Sequence, residues 1–212
     1  MRFQINRRHL ATTSLLLAAS TAFPARAVGQ ATPEASPAVG GTLADRVAAR
    51  DPEALLERLR TAPVETPLLP AAASEVVATS WDDPSDTDLQ NALGGASLVT
   101  DDMEQSAVGH YIVFADTLIA RGYFLFARDA SGDGLTATPA RIDGFDGVTV
   151  VDEASDAGYA VTVVQVANVV VIGGWEQDSP IMRDVAPRVA TGARWSVVNA
   201  LALIDHLDAV TR

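Results

Sequence analysis

The longest apolar signal in the chain is YAVTVVQVANVVVI, residues 159–172, where Thr162, Gln165 and Asn168 are the polar side chains among 14 residues. As a single strand it would span about 46 Å at roughly 3.3 Å per residue, against about 17–20 Å for an ordinary strand. The segment therefore folds back on itself. Asparagine tolerates positive φ, so the turn falls at Ala167-Asn168 and gives a C-terminal hairpin of 159–166 with 169–174, although Ala167 is a poor residue for such a turn. Tyr159, Val161 and Val163 alternate with Ala160, Thr162, Val164 and Val166, so neither face of the first strand is polar. Such a strand is covered on both sides. The cover is either helices on each face, or helices on one face and a partner subunit on the other.

The pattern elsewhere supplies the remaining elements. Leu43, Val47, Ala54, Leu55 and Leu59 recur at near-helical spacing over residues 43–61, with Thr42 or Asp45 able to cap the start. Asp51-Pro52 suits a cap and a first turn, which allows two short helices. Pro63, Pro67 and Pro70 then favour extended chain. Strands are expected at 75–81, at 96–100, at Tyr111–Phe114 and at 147–151. Asp116 or Thr117 can cap a helix running to about Arg128, with Gly122 as a weak point inside it. From Trp195 to Val210, the positions Val197, Leu201, Ile204 and Leu207 or Asp208 follow a helical period, and Pro187 and Gly192 are expected to separate this helix from a shorter piece before it.

Strands and helices do not alternate regularly, which predicts α+β rather than a parallel α/β fold. The expected architecture is an antiparallel sheet of about five or six strands packed by helices near residues 43–61, 116–128 and 195–210. That domain occupies 43–212. Residues 28–42, VGQATPEASPAVGGT, hold almost no large apolar side chain and read as a disordered linker.

The N-terminal segment has a different grammar. Arg2, Arg7 and Arg8 precede the stretch from His9 to Ala25, which carries no Asp, Glu, Lys or Arg, and Pro24-Ala25-Arg26-Ala27 follows as a small-residue cleavage pattern. The apolar run from Leu10 to Phe23 is 14 residues with five Ser or Thr, whereas a helix crossing a bilayer needs roughly 20 apolar residues. Residues 1–27 are thus expected to be an export signal cleaved after Ala27. Asn6-Arg7-Arg8-His9-Leu10-Ala11 resembles a twin-arginine signal, supported by the weakly hydrophobic core and by Arg26 beside the cleavage site. Asn6 and Ala11 depart from that pattern, so the general secretory route stands as the alternative. The expected location is the cell envelope or outside the cell, and the layout is similar to small exported bacterial proteins.

Composition narrows the chemistry. All 15 basic residues are arginine and there is no cysteine, which removes lysine Schiff bases, disulfides, thiol nucleophiles and thiolate metal sites. The chain carries 27 acids for a net charge of −12. Without Arg2, Arg7, Arg8 and Arg26 the remainder holds 11 arginines against the same 27 acids, a net −16. Nucleic acid and anionic membrane surfaces are disfavoured as partners.

No Gly-x-Ser-x-Gly frame and no His-Glu-x-x-His pattern occurs. His110 and His206 are the histidines beyond the leader, and both read as surface or strand-end residues. Trp81, Trp175, Trp195 and the aromatics at 111–126 read as core rather than a ligand pocket. The one motif with a mechanism is Asp129-Ala130-Ser131-Gly132-Asp133-Gly134, where Asp129, Ser131 and Asp133 copy the first half of a calcium loop. Its twelfth position is Ala140 instead of Glu, with Asp143 or Asp146 as substitutes, and ordinary Asx-turns use the same residues. No cofactor is expected, with calcium the one exception considered. Three readings follow: a non-enzymatic exported domain that binds a small ligand or a protein partner, with homo-oligomerisation through a sheet face open to it; a calcium-dependent extracellular protein using the 129–134 loop; and a hydrolase built on His110 and acidic loop residues.

Overall fold

The computed structural model describes residues 41–66, 68, 77–81, 91–101, 105–129, 134–152, 159–177 and 185–212. Two short helices come first, α1 (Leu43–Ala48) and α2 (Pro52–Thr61). Thr42 caps α1 in a reciprocal capping box with Asp45, and Asp51 caps α2 with Pro52 in its first turn. The Asp51-Pro52 break is what makes two helices of one apolar pattern.

Strands β1 (Val77–Trp81), β2 (Ala92–Asp101) and β3 (Gln105–Phe114) lead into helix α3 (Thr117–Arg128), whose Asp116 carboxylate accepts from the Ile119 N–H at 2.9 Å. After α3 come β4 (Leu135–Ile142), β5 (Phe145–Asp152), β6 (Tyr159–Val166) and β7 (Val169–Gln177), and the long helix α4 (Val185–Thr211) closes the described chain. The strands form one sheet in the order β1-β2-β3-β7-β6-β5-β4, every neighbouring pair antiparallel. This is the α+β fold expected, with a C-terminal helix packed on the sheet.

All six anticipated strands are present, and β4 is a seventh. Its signal was Asp143-Gly144, which forms the two-residue turn to β5 with φ of +49° and +84°, the left-handed geometry that Asp-Gly supplies. Pro139 lies within β4 on the sheet's outer edge, where a residue lacking an N–H is tolerated.

The β6–β7 hairpin turns where expected, but by different means. Ala167, not Asn168, carries the positive φ, at +51°. Asn168 is instead buried: its Nδ2 donates to the Phe114 carbonyl and its own carbonyl accepts from the Phe114 N–H, both at 2.9 Å. The turn is thereby fastened to the end of β3.

Both faces of the hairpin are covered by this chain's own helices. Tyr111, Val164, Val166, Val169 and Val171 pack with α1, α2 and α4, while Ile112, Phe114, Val161, Val163 and Val170 pack with α3. Helix α4 runs unbroken from Val185, correcting the expected break: Pro187 sits in the first turn, where its missing N–H costs no hydrogen bond, and Gly192 lies so close to Trp175 that a Cβ there would be 2.5 Å from Cε3.

Its buried face is also broader than, and rotated from, the apolar stripe read in the sequence. Ile204 and Leu207 are buried as that stripe requires, but Leu201 is exposed, while Ser196, Asn199, Ala200 and Leu203 are wholly buried. The cause is Gly173 on β7: a Cβ there would lie 2.3 Å from the Ala200 nitrogen, so the helix backbone rests directly on the strand. Only small or hydrogen-bonding residues fit that contact.

Candidate functional site

The calcium candidates are not assembled by the described residues. The Asp129 carboxylate is engaged by its neighbour Arg128 at 2.9 Å, which holds its proton affinity below the usual carboxylate value. Ser131 and Asp133 lie outside the described residues. Asp143 sits in the β4–β5 turn, and Asp146 is flanked by Arg121 and Arg141, each at 4.0 Å. Among the described residues no group of three or more His, Asp or Glu side chains is placed to hold a metal ion.

The two histidines are buried, not on the surface. His110 and Ser97 are paired residues on β3 and β2, and Ser97 Oγ lies 2.6 Å from His110 Nδ1. A hydroxyl donating to an imidazole nitrogen is the arrangement that activates a serine nucleophile. Burial, however, pulls the imidazole down to about 4. A base that weak accepts a proton about 300-fold less readily than an ordinary imidazole, and Ser97 itself is 3% exposed. Burial is the cause of the weakened base, since His110 and Ser97 are both almost wholly enclosed.

On the opposite face of β3, the Tyr111 hydroxyl donates to the Leu203 carbonyl at 2.8 Å and lies 2.8 Å from His206 Nδ1. With its one proton given to Leu203, the hydroxyl accepts from Nδ1–H, which leaves Nε2 as the unprotonated nitrogen of the neutral ring. The His206 Nε2 atom is buried, and the imidazole meets the Ala62 backbone at the end of α2. Burial lowers the proton affinity of His206, and the Ala62 carbonyl offsets part of that effect.

A third polar cluster ties α4 to the sheet. Ser196 Oγ donates to the Ala193 carbonyl at 2.9 Å and meets Thr162 Oγ1 at 2.8 Å, and Thr162 meets Thr149 at 3.0 Å. Because the Ser196 proton is used on a carbonyl, Thr162 donates to Ser196 and Thr149 to Thr162. Beside it, Asn199 Nδ2 donates to the Gly174 carbonyl at 2.8 Å. The sequence concealed this cluster, since Ser, Thr and Asn inside an apolar pattern read as interruptions.

Among the described residues no helix is long and apolar enough to cross a membrane. Trp175 belongs to the core at 2% exposure, as expected for an aromatic near a strand end. Leu118, at the outward side of α3, is 80% exposed and is the most exposed large apolar side chain described. No known family, curated protein or solved structure matches the chain.

Proposed function

We propose that the protein is an exported, non-enzymatic domain that binds a small ligand or a protein partner at the cell envelope or outside the cell. The observation that carries this reading is the leader: Arg7-Arg8, a short charge-free apolar run and Ala25-Arg26-Ala27, followed by a linker of small residues and then a strongly acidic chain. The polar chemistry inside the fold supports it in a second way. Asn168, Asn199, Tyr111 and the Thr149–Thr162–Ser196 series are spent on joining strands and helices, and burial makes the Ser97–His110 pair a poor base for hydrolysis.

Native mass spectrometry of protein isolated from outside the cytoplasm tests the reading. The expected result is a species heavier than the processed chain alone, from a retained ligand or partner. Bare chain throughout, in gently isolated and in cross-linked samples, counts against it.

A further inference from the structure

Helix α4 turns one side inward, centred on Ser196, Asn199, Leu203 and Leu207. On the opposite side run Arg194, Val198, Leu201 and Asp205, spaced by four, three and four residues, which is one line along a helix surface and the spacing of a two-helix seam. Leu201 is exposed, and Val198 is half-buried and packs into neither apolar cluster of the described residues. Arg194 and Asp205 are exposed at the two ends of the line. Eleven residues separate them, about 16 Å of helix, so they cannot pair with each other. Among the described residues neither makes an ion pair within the chain. The Arg194 guanidinium stands 5.8 Å from the ring centre of Trp195, which holds it at the surface of the helix.

We propose that this line is a self-association surface: a second copy of the chain docks α4 against α4, antiparallel, about a two-fold axis passing between Asn199 and Ala200. That axis sets Arg194 against Asp205 of the partner subunit and Val198 against Leu201 of the partner subunit, and symmetry repeats both pairs. Two apolar contacts at the centre are thus closed at each end by opposite charges. Parallel packing would instead set Arg194 against Arg194 of the partner subunit and Asp205 against Asp205 of the partner subunit.

Charge selects the occupant. The chain carries a net −12, so two copies repel at long range and can meet only where their own charges cancel. The α4 line meets that condition, because reading it backwards exchanges arginine for aspartate and one apolar side chain for another. Self-complementarity of this kind is what an isologous interface requires and what an unrelated partner does not. Helices of the same chain already cover both faces of the β6–β7 hairpin, which leaves a helix surface as the route to self-association. With four side chains per copy in the seam, the dimer is a weak one that forms at high concentration. The inference concerns the folded domain and stands whether or not the chain is exported.

Sedimentation velocity of the full chain from about 1 μM to about 1 mM, at about 0.15 M salt to screen long-range repulsion, tests it. The wild type is expected to move from the mass of one chain toward that of two. Arg194→Asp and Asp205→Arg each place like charges at both ends of the seam, and each is expected to weaken the dimer by at least about tenfold. The double variant restores opposite charges at both ends without changing the net charge, and is expected to return to the wild-type dissociation constant. A wild type of one-chain mass throughout, single variants that associate as the wild type does, or a double variant no better than the singles overturns the proposal. Should either reversal fail to fold, Arg194→Gln and Asp205→Asn delete the same pairs, and association undiminished in both overturns it equally.

Discussion

At Ala167 the backbone adopts φ +51°, a conformation in which a Cβ crowds the following carbonyl at a cost of roughly 1–2 kcal/mol. Ala167→Gly is therefore expected to stabilise the fold by about 0.5–1 kcal/mol once the greater freedom of an unfolded glycine is subtracted, seen as a higher urea midpoint. The neighbouring Asn168 has the opposite status. Its amide is buried and bonded to Phe114, so Asn168→Ala leaves the Phe114 carbonyl without its side-chain donor and should cost about 1–3 kcal/mol. His110 carries a pH signature. Its folded imidazole is held at about 4 while the unfolded one titrates near 6.5, so the unfolded chain binds more protons between those values. Stability is then whole above pH 6.5, falls by about 3 kcal/mol as the pH drops through 6.5 toward 4, and loses nothing more from this group below that. The difference between wild type and His110→Gln in urea unfolding at pH 7.5, 6, 5 and 4 isolates the effect from the carboxylates; parallel curves would contradict it.

At the scale of elements, α4 against β7 is the contact that tolerates least. A Cβ at Gly173 would stand 2.3 Å from the Ala200 nitrogen and 2.5 Å from the Ser196 carbonyl, both backbone atoms that cannot rotate away. Gly173→Ala must push the helix off the strand, breaking the Thr162–Ser196 and Asn199–Gly174 bonds, and should cost more than the usual 1–3 kcal/mol of overpacking. A urea midpoint unchanged from wild type would contradict the packing described. By contrast Gly122 on α3 has open space around its missing Cβ, so Gly122→Ala should stabilise by up to about 1 kcal/mol through helix propensity. The same contrast explains what could be read in advance. Caps at Asp51 and Asp116 depend on neighbours in sequence and their residues announced them, and the length of the apolar run announced the β6–β7 hairpin, though not that Ala167 would carry its positive φ. The rotation of α4 depends on Gly173, about 25 residues away in the chain, so an apolar pattern along the helix could not reveal it.

For the whole molecule, covering both sheet faces with helices accounts for the lack of a polar face on β6. The sequence required that cover without saying which helix lay on which side. It also placed both histidines wrongly, because an imidazole at a strand end and one on an amphipathic helix carry no mark of burial until the partners Ser97 and Tyr111 arrive from elsewhere. The calcium reading belongs at this scale too: with Asp129 already paired to Arg128, a metal ion would have to displace a guanidinium. Melting with millimolar calcium and again with chelator should give the same midpoint if the loop is an ordinary turn, whereas a bound ion at 100 times its dissociation constant would add roughly 2.7 kcal/mol.

Export is the claim on which the proposed function turns, and the intact mass of the protein recovered from each cell fraction tests it most directly. The account predicts a chain beginning at Val28 outside the cytoplasm, and retention of the full 212-residue chain inside when Arg7→Lys and Arg8→Lys are combined. Normal export of that double variant would assign the general secretory route instead. Full-length wild-type protein found only in the cytoplasm would contradict the account.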